Sequence, residues 1–149
     1  MKVVYIAGPY RAATAWQIEQ NIRRAEAVAL NVARLGAMPL CPHALTRHYH
    51  GELTDRFWLD GTAELLRRCD AVMFVDGWED SEGSRAELDI AIQMKIPTFY
   101  ECNIGYGHLK NWLATGIRLT ARIGMIKPPP VHRNMMGRML NALCAATAG

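Results

Sequence analysis

The sequence predicts a single α/β domain, a parallel sheet of four to five strands with helices on both faces. Three observations lead to it. Lys2 to Ala7, Met38 to Cys41 and Ala71 to Val75 are short, mostly apolar runs of strand length, as expected of strands buried on both faces. Between the first two, Ile18, Ile22, Ala25, Val28, Ala29, Val32 and Leu35 recur at helical spacing, so residues 15–35 read as one long amphipathic helix. Strand, helix and strand in succession make a βαβ unit, which implies a parallel sheet and a right-handed crossover.

Length and composition narrow the class. The chain has 149 residues, enough for one domain with a sizeable core. It is 50% hydrophobic and 21% charged, an ordinary balance for a folded chain. No apolar run approaches the roughly 20 residues of a membrane-spanning helix. The first residues run straight into a strand, so no signal peptide and a cytoplasmic location are expected. Cys41, Cys69, Cys102 and Cys144 lie far apart with no CxxC pair, and read as reduced, mostly buried thiols and not as a zinc site.

The net charge of +3 is unevenly spread. All 14 acidic residues precede Asn103, whereas residues 103–149 carry Lys110, Arg118, Arg122, Lys127, Arg133 and Arg138 and no acid. Such a stretch suits a phosphorylated ligand, an acidic surface or nucleic acid, and equally a solvated basic face. No nucleic-acid-binding motif accompanies it, so nucleic acid is not an expected partner.

Taken in order, Gly8-Pro9-Tyr10-Arg11 ends the first strand. Gly8 allows close approach of the backbone to a ligand and Pro9 sets the turn. Tyr10 and Arg11 then project from the strand's carboxyl end, suited to sugar stacking and to phosphate or carboxylate pairing, or to nothing more than a surface loop. Thr14 can cap the long helix, with Gln17 three residues on, and Gly36 closes it. Residues 42–54 read as a loop with His43, His48 and His50. No carboxylate or cysteine stands beside them at ligand spacing, so a mobile site loop is favoured over a metal. His43 directly follows the second strand and is expected to face the same crevice as Tyr10, to orient a substrate or to serve in acid–base work.

Residues 55–68 read as a helix containing Asp60. The third strand, 71–75, breaks at Asp76-Gly77 into a polar loop, and a helix is expected to restart at Ser84 with Glu87 in its first turn. Residues 96–100 form a fourth strand, 103–107 a polar turn, 108–115 a weak helix and 122–126 a possible fifth strand. Pro128-Pro129-Pro130 then precedes a terminal helix over 131–146 with methionines along one side.

Several chemistries are not signalled. The chain has no GxGxxG, no GxxxxGK[ST] and no GxSxG. What remains is a crevice at the carboxyl ends of the strands, built from Gly8 to Arg11, His43, and the loop from Gly77 through Asp80, Ser81, Gly83 and Ser84 to Glu87. Serines and free amides at a helix start suit an anion. Glu87 is either a fixed carboxylate able to attack a sugar carbon, or the glutamate of an S-x-x-E capping box begun by Ser84. Pattern alone favours the cap.

The run IAGPYRA after the first strand, the Cys-Asp-Ala-Val entry to the third, the Gly-Trp-Glu-x-Ser-x-Gly loop and the Glu-Leu-x-x-Ala helix start together resemble the nucleoside 2-deoxyribosyltransferase-like superfamily, which includes 2'-deoxynucleoside 5'-phosphate N-hydrolases. The resemblance spans residues 3–92 and implies a flavodoxin-like sheet. It implies that Glu87 is a nucleophile attacking C1′ of the sugar, giving a covalent glycosyl-enzyme. It places Ser81, Ser84 and Arg11 around a 5′-phosphate and Tyr10 around sugar and base. The superfamily's aspartate near the base stands eight residues before the aspartate of the third strand. That spacing falls here on Thr62, so Asp60 becomes the proton-transfer candidate, with Asp80 second. The transferase branch has an aspartate six residues before its nucleophile; here Ser81 stands there, which favours a phosphorylated substrate.

The resemblance also implies a homodimer or larger homo-oligomer, with a neighbouring subunit's tail able to reach the site. No metal or organic cofactor is expected. The leading expectation is cleavage of the N-glycosidic bond of a (2'-deoxy)nucleoside 5'-monophosphate. The alternatives are base exchange between free deoxynucleosides, and a nucleotide-binding or sensing domain without turnover.

Overall fold

The computed structural model of the chain describes residues 1–49 and 51–115. Four strands form one all-parallel sheet: β1 (Val3–Ala7), β2 (Met38–Leu40), β3 (Ala71–Phe74) and β4 (Thr98–Tyr100). Their order across the sheet is β2-β1-β3-β4. Val4 of β1 pairs with Ala71 of β3, and the register runs on to Ala7 with Phe74. This is the parallel α/β arrangement that the βαβ reading expects, and it is consistent with the flavodoxin-like sheet that the resemblance implies.

Helices lie on both faces, and side-chain parity along the strands assigns them. Val4 and Ile6 of β1 pack with Ala25, Val28 and Val32 of α1 (Ala15–Arg34) and with Leu109 and Trp112 of α5 (Asn103–Thr115). Tyr5 and Ala7 point the other way, into a cluster with Leu66 of α3 (Asp55–Arg67), Trp78, and Ala91 of α4 (Glu82–Gln93). A phenol at position 5 is therefore committed to the layer between the sheet and α3/α4. No helix among the described residues is long and apolar enough to cross a membrane.

The topology places a crevice. From β1 the chain moves outward to β2 and then returns past β1 to β3, so β1 and β3 flank the point where the winding reverses. The two strands are close at their carboxyl ends: the Val75 amide donates to the Ala7 carbonyl at 2.8 Å. A Cβ at Gly8 would lie 2.9 Å from the Val75 Cβ. Gly8 is needed for that approach, which is a packing role beside the ligand role its position suggests.

Three elements differ from the sequence expectation. Residues 42–54 are not all loop. Pro42–Thr46 forms a short helix, α2, with proline preset for the first turn. Helix α5 begins at Asn103, five residues ahead of the expected start, because Gly105 is buried directly against the Tyr100 carbonyl, where a side chain has no room. Helix α4 begins at Glu82 and not at Ser84. The possible strand at 122–126 and the terminal helix at 131–146 lie outside the described residues.

Candidate active site

Glu87 is the sixth residue of α4 and not the third. Gly77 adopts a left-handed turn at φ 82°, and Trp78–Asp80 then make one 3-10 turn. Trp78 is buried against Phe74 and Tyr100, with ring centroids 5.0 and 5.6 Å away. That anchor brings the chain back early enough for Ser81 to be the N-cap, its Oγ accepting from the Ser84 amide at 3.3 Å. The S-x-x-E box of Ser84 and Glu87 therefore does not form. Ser84 sits inside the first turn, and Glu87 is a turn too far along to reach back to the cap.

The Glu87 carboxylate instead faces the sheet. The Tyr5 hydroxyl donates to Glu87 Oε1 at 2.6 Å, across 82 residues of sequence. Burial drives the Glu87 pKa up to about 7, and the Tyr5 hydrogen bond holds back part of that rise. Burial and the neighbouring carboxylate raise the Tyr5 pKa well above the ordinary phenol value, so Tyr5 stays a donor. Thr62 of α3 stands near the Tyr5 hydroxyl, and its own hydroxyl donates to the Leu59 carbonyl at 3.2 Å. β1 and α4 thus meet at one carboxylate, with α3 beside them.

Ser84 is 1% exposed and its Oγ has no partner among the described residues. A buried hydroxyl in the first turn of a helix, unsatisfied, stands ready for an anion's oxygens beside the free amides of that turn. Ser81 is committed to the cap, and Gly83 leaves its side open, the nearest atom to a Cβ there being Ser81 Oγ at 3.9 Å. Asp80 is exposed at the end of the 3-10 turn.

His43 is 5% exposed on α2. Its Nε2 lies 3.1 Å from the Pro9 carbonyl, which only accepts, so Nε2 carries the proton. Nδ1 is left buried and without a partner among the described residues. Burial lowers the His43 pKa and keeps the ring neutral at pH 7. The ring stands 5.8 Å from that of Tyr10, so His43 clamps the turn that carries Tyr10. Arg11, exposed, forms a 2.7 Å ion pair with Asp55 at the start of α3.

Asp60 lies on the exposed side of α3, 2.7 Å from Arg56 in an i,i+4 pair. Thr62, two residues further along α3, stands near Tyr5 instead. An apolar groove of about 240 Å3 opens beside it, lined by Leu45, Phe57, Trp58 and Leu65 as well as Thr62. A hollow of about 520 Å3 lies beside Met1, Lys2 and Gly36, toward the amino ends of the strands and away from this chemistry. Among the described residues no group of three or more His, Cys, Asp or Glu could hold a metal ion.

One family model matches residues 2–101, a domain of unknown function designated DUF7768. The chain belongs to this family. The DUF7768 match runs from β1 through β4 and takes in Tyr5, His43, Thr62, Ser84 and Glu87. No curated protein matches the chain.

Two residues of this candidate site were not singled out by the motifs, Tyr5 and Thr62. Tyr5 carried a signal: a phenol inside a β-branched strand needs a buried hydrogen-bond partner. Thr62 carried none beyond its spacing from Asp70.

Proposed function

We propose that the protein is an N-glycosidase that cleaves the bond between base and sugar in a (2'-deoxy)nucleoside 5'-monophosphate, with Glu87 as nucleophile. The observation that carries the reading is the Tyr5–Glu87 pair. Glu87 is not used as a helix cap; its carboxylate is held by a 2.6 Å hydrogen bond from Tyr5, the middle residue of the central strand β1. A glutamate desolvated there, with its pKa near 7, makes no evident contribution to stability and is suited to chemistry.

In the first step a Glu87 oxygen attacks C1′ from the face opposite the base. The C–N bond breaks, and the base leaves with the bonding pair and takes up a proton from solvent, which the water of the second step gives back as it becomes the 1′-hydroxyl. The sugar is then esterified to Glu87. In the second step water attacks C1′, the ester bond breaks, and the carboxylate returns to the Tyr5 hydroxyl. Tyr5 orients the attacking oxygen and stabilises the carboxylate both before attack and on release. Ser84 Oγ and the first-turn amides of α4 are suited to the 5′-phosphate, and that pairing favours a monophosphate over a free nucleoside. Arg11 can join them by exchanging Asp55 for the phosphate.

The test is incubation of the protein with the common nucleoside 5'-monophosphates and with the free nucleosides, reading released base, with Glu87→Ala as control. Base from monophosphates alone, lost in the variant, is the expected result. Base exchange that requires a second nucleobase points to the transferase chemistry. Binding with no release of base, in wild type and variant alike, would remove the enzymatic reading.

A further inference from the structure

We propose that Asp55 is an internal stand-in for the ligand's phosphate: it holds the Arg11 guanidinium across the mouth of the crevice, yields it to a phosphate dianion and takes it back when the phosphate leaves. This rests on the reading of the crevice as a nucleoside monophosphate site. Arg11 Nη2 lies 2.7 Å from Asp55 Oδ2, an ion pair between the turn after β1 and the first turn of α3.

The pair stands at the carboxyl edge of the sheet. Beyond the far end of α3, Asp70 accepts from the Val3 amide at 2.8 Å, so α3 ends beside the start of β1 and begins at the opposite edge, with the crevice. Helix α3 also packs against α4, whose first turn carries Ser84. The ion pair therefore runs from the central strand toward the α3/α4 face, the face to which Tyr5 and Glu87 are turned.

Each half of the pair is built to part. Asp55 directly follows Thr54, which caps α3 by accepting from the Phe57 amide at 3.3 Å. A carboxylate in a helix's first turn is stabilised by the helix dipole, so Asp55 keeps a favourable setting without Arg11. The backbone that carries Arg11 is pinned: His43 Nε2 donates to the Pro9 carbonyl, and Asn21 Nδ2 donates to the Tyr10 carbonyl at 3.2 Å. Exchange therefore asks only for rotation of one long side chain. The two side chains are 65% and 69% exposed, a setting in which an ion pair is weak. Other arginines near this edge are committed differently. Arg24 donates to the Asp76 carbonyl at 2.8 Å, Arg85 to the Glu79 carbonyl at 2.6 Å, and Arg47 bridges Glu19 and Glu26. Those three brace backbone and helix; Arg11 holds a carboxylate that its own helix stabilises.

A phosphate dianion offers the guanidinium more charge than one carboxylate, in the same bidentate geometry. Asp55 lowers the affinity for any phosphate ligand by the fraction of time that Arg11 is occupied. Its returning carboxylate then favours release of the sugar phosphate left after the base has gone. A ligand without a phosphate leaves the pair in place.

The test uses inorganic phosphate as the probe, at about pH 8 so that it is a dianion and at about 0.15 M salt. Dissociation constants are read by NMR from the Arg11 Nε–H and the Ser84 amide in the full chain. The proteins are wild type, Asp55→Asn, Asp55→Glu, Arg11→Gln and the double variant, with urea melts to show that each is folded. Asp55→Asn should tighten phosphate by up to about fivefold, the worth of an exposed ion pair. Asp55→Glu, which keeps the carboxylate, should bind as wild type does. Arg11→Gln should weaken binding, and adding Asp55→Asn to it should change the constant by less than about twofold, since at this salt the remaining repulsion is screened. An unchanged constant in Asp55→Asn would overturn the proposal. So would equal tightening in both backgrounds, which is bulk repulsion and not exchange. Base release from monophosphates by a protein whose Arg11 Nε–H ignores phosphate would overturn the exchange and leave the glycosidase reading standing. The expected pattern in a protein that releases no base would support the exchange and remove only the glycosidase reading.

Discussion

Glu87 gives the site a pH signature that can be measured without knowing the substrate. Its pKa is about 7 in the fold against 4.5 for an unperturbed glutamate. The folded chain therefore holds this proton where the unfolded chain has lost it, and stability must fall as pH rises from about 4.5 to about 7, then level off. The full shift corresponds to at most ~3 kcal/mol. Glu87→Gln should abolish base release and flatten this part of the profile, leaving the variant more stable than wild type at pH 8. Urea midpoints at pH 5 and pH 8 check it. His43 works in the opposite sense. Its lowered pKa favours the folded state above the ordinary histidine pKa, and that contribution is lost as pH falls below it. Comparison with Glu87→Gln separates the two. Because only ionised Glu87 attacks, kcat/KM for base release should rise with pH through about 7.

At the scale of elements, the first turn of α4 separates two serines that look alike in sequence. Ser81 caps the helix through the Ser84 amide, and Ser81→Ala should cost about 1 kcal/mol of unfolding free energy. Ser84 Oγ makes no hydrogen bond within the described residues, so Ser84→Ala should leave the thermal midpoint unchanged or slightly raised. The same substitution should raise KM for a monophosphate roughly tenfold or more, the worth of one hydrogen bond to a charged group. Thermal melts beside initial rates on both variants test the assignment, and a Ser84→Ala variant that melts early with KM unchanged would contradict it. The sequence placed a helix start and a serine cap in the right loop, because capping is local chemistry. It pointed to Ser84, through the S-x-x-E pattern with Glu87, whereas the cap is Ser81. The choice was made by Trp78, whose burial against Phe74 and Tyr100 sets where the chain re-enters the sheet.

For the whole molecule, the close contact of β1 and β3 is both the centre of the sheet and the floor of the crevice. Gly8→Ala puts a Cβ 2.9 Å from the Val75 Cβ, which forces the strand ends apart. It should cost ~1–3 kcal/mol and reduce activity beyond what that loss of stability explains. Denaturation midpoints and rates at matched folded fraction distinguish the two effects.

The α/β class, the βαβ unit, the strands and the long helix α1 with its Thr14 cap were legible because period and punctuation are properties of short stretches. The early start of α5 was not legible, because Gly105 reads as a turn in sequence and serves as a contact in space. The exposed Asp60, paired with Arg56, is the ordinary outcome for a lone aspartate on a helix with arginines within reach. By itself the sequence determined the four strands, the long helix α1 and which strand ends carry polar side chains. Tertiary structure alone decided what Glu87 meets: parity along β1 turns Tyr5 toward α3 and α4, and only the folded sheet brings that hydroxyl within 2.6 Å of a carboxylate 82 residues away.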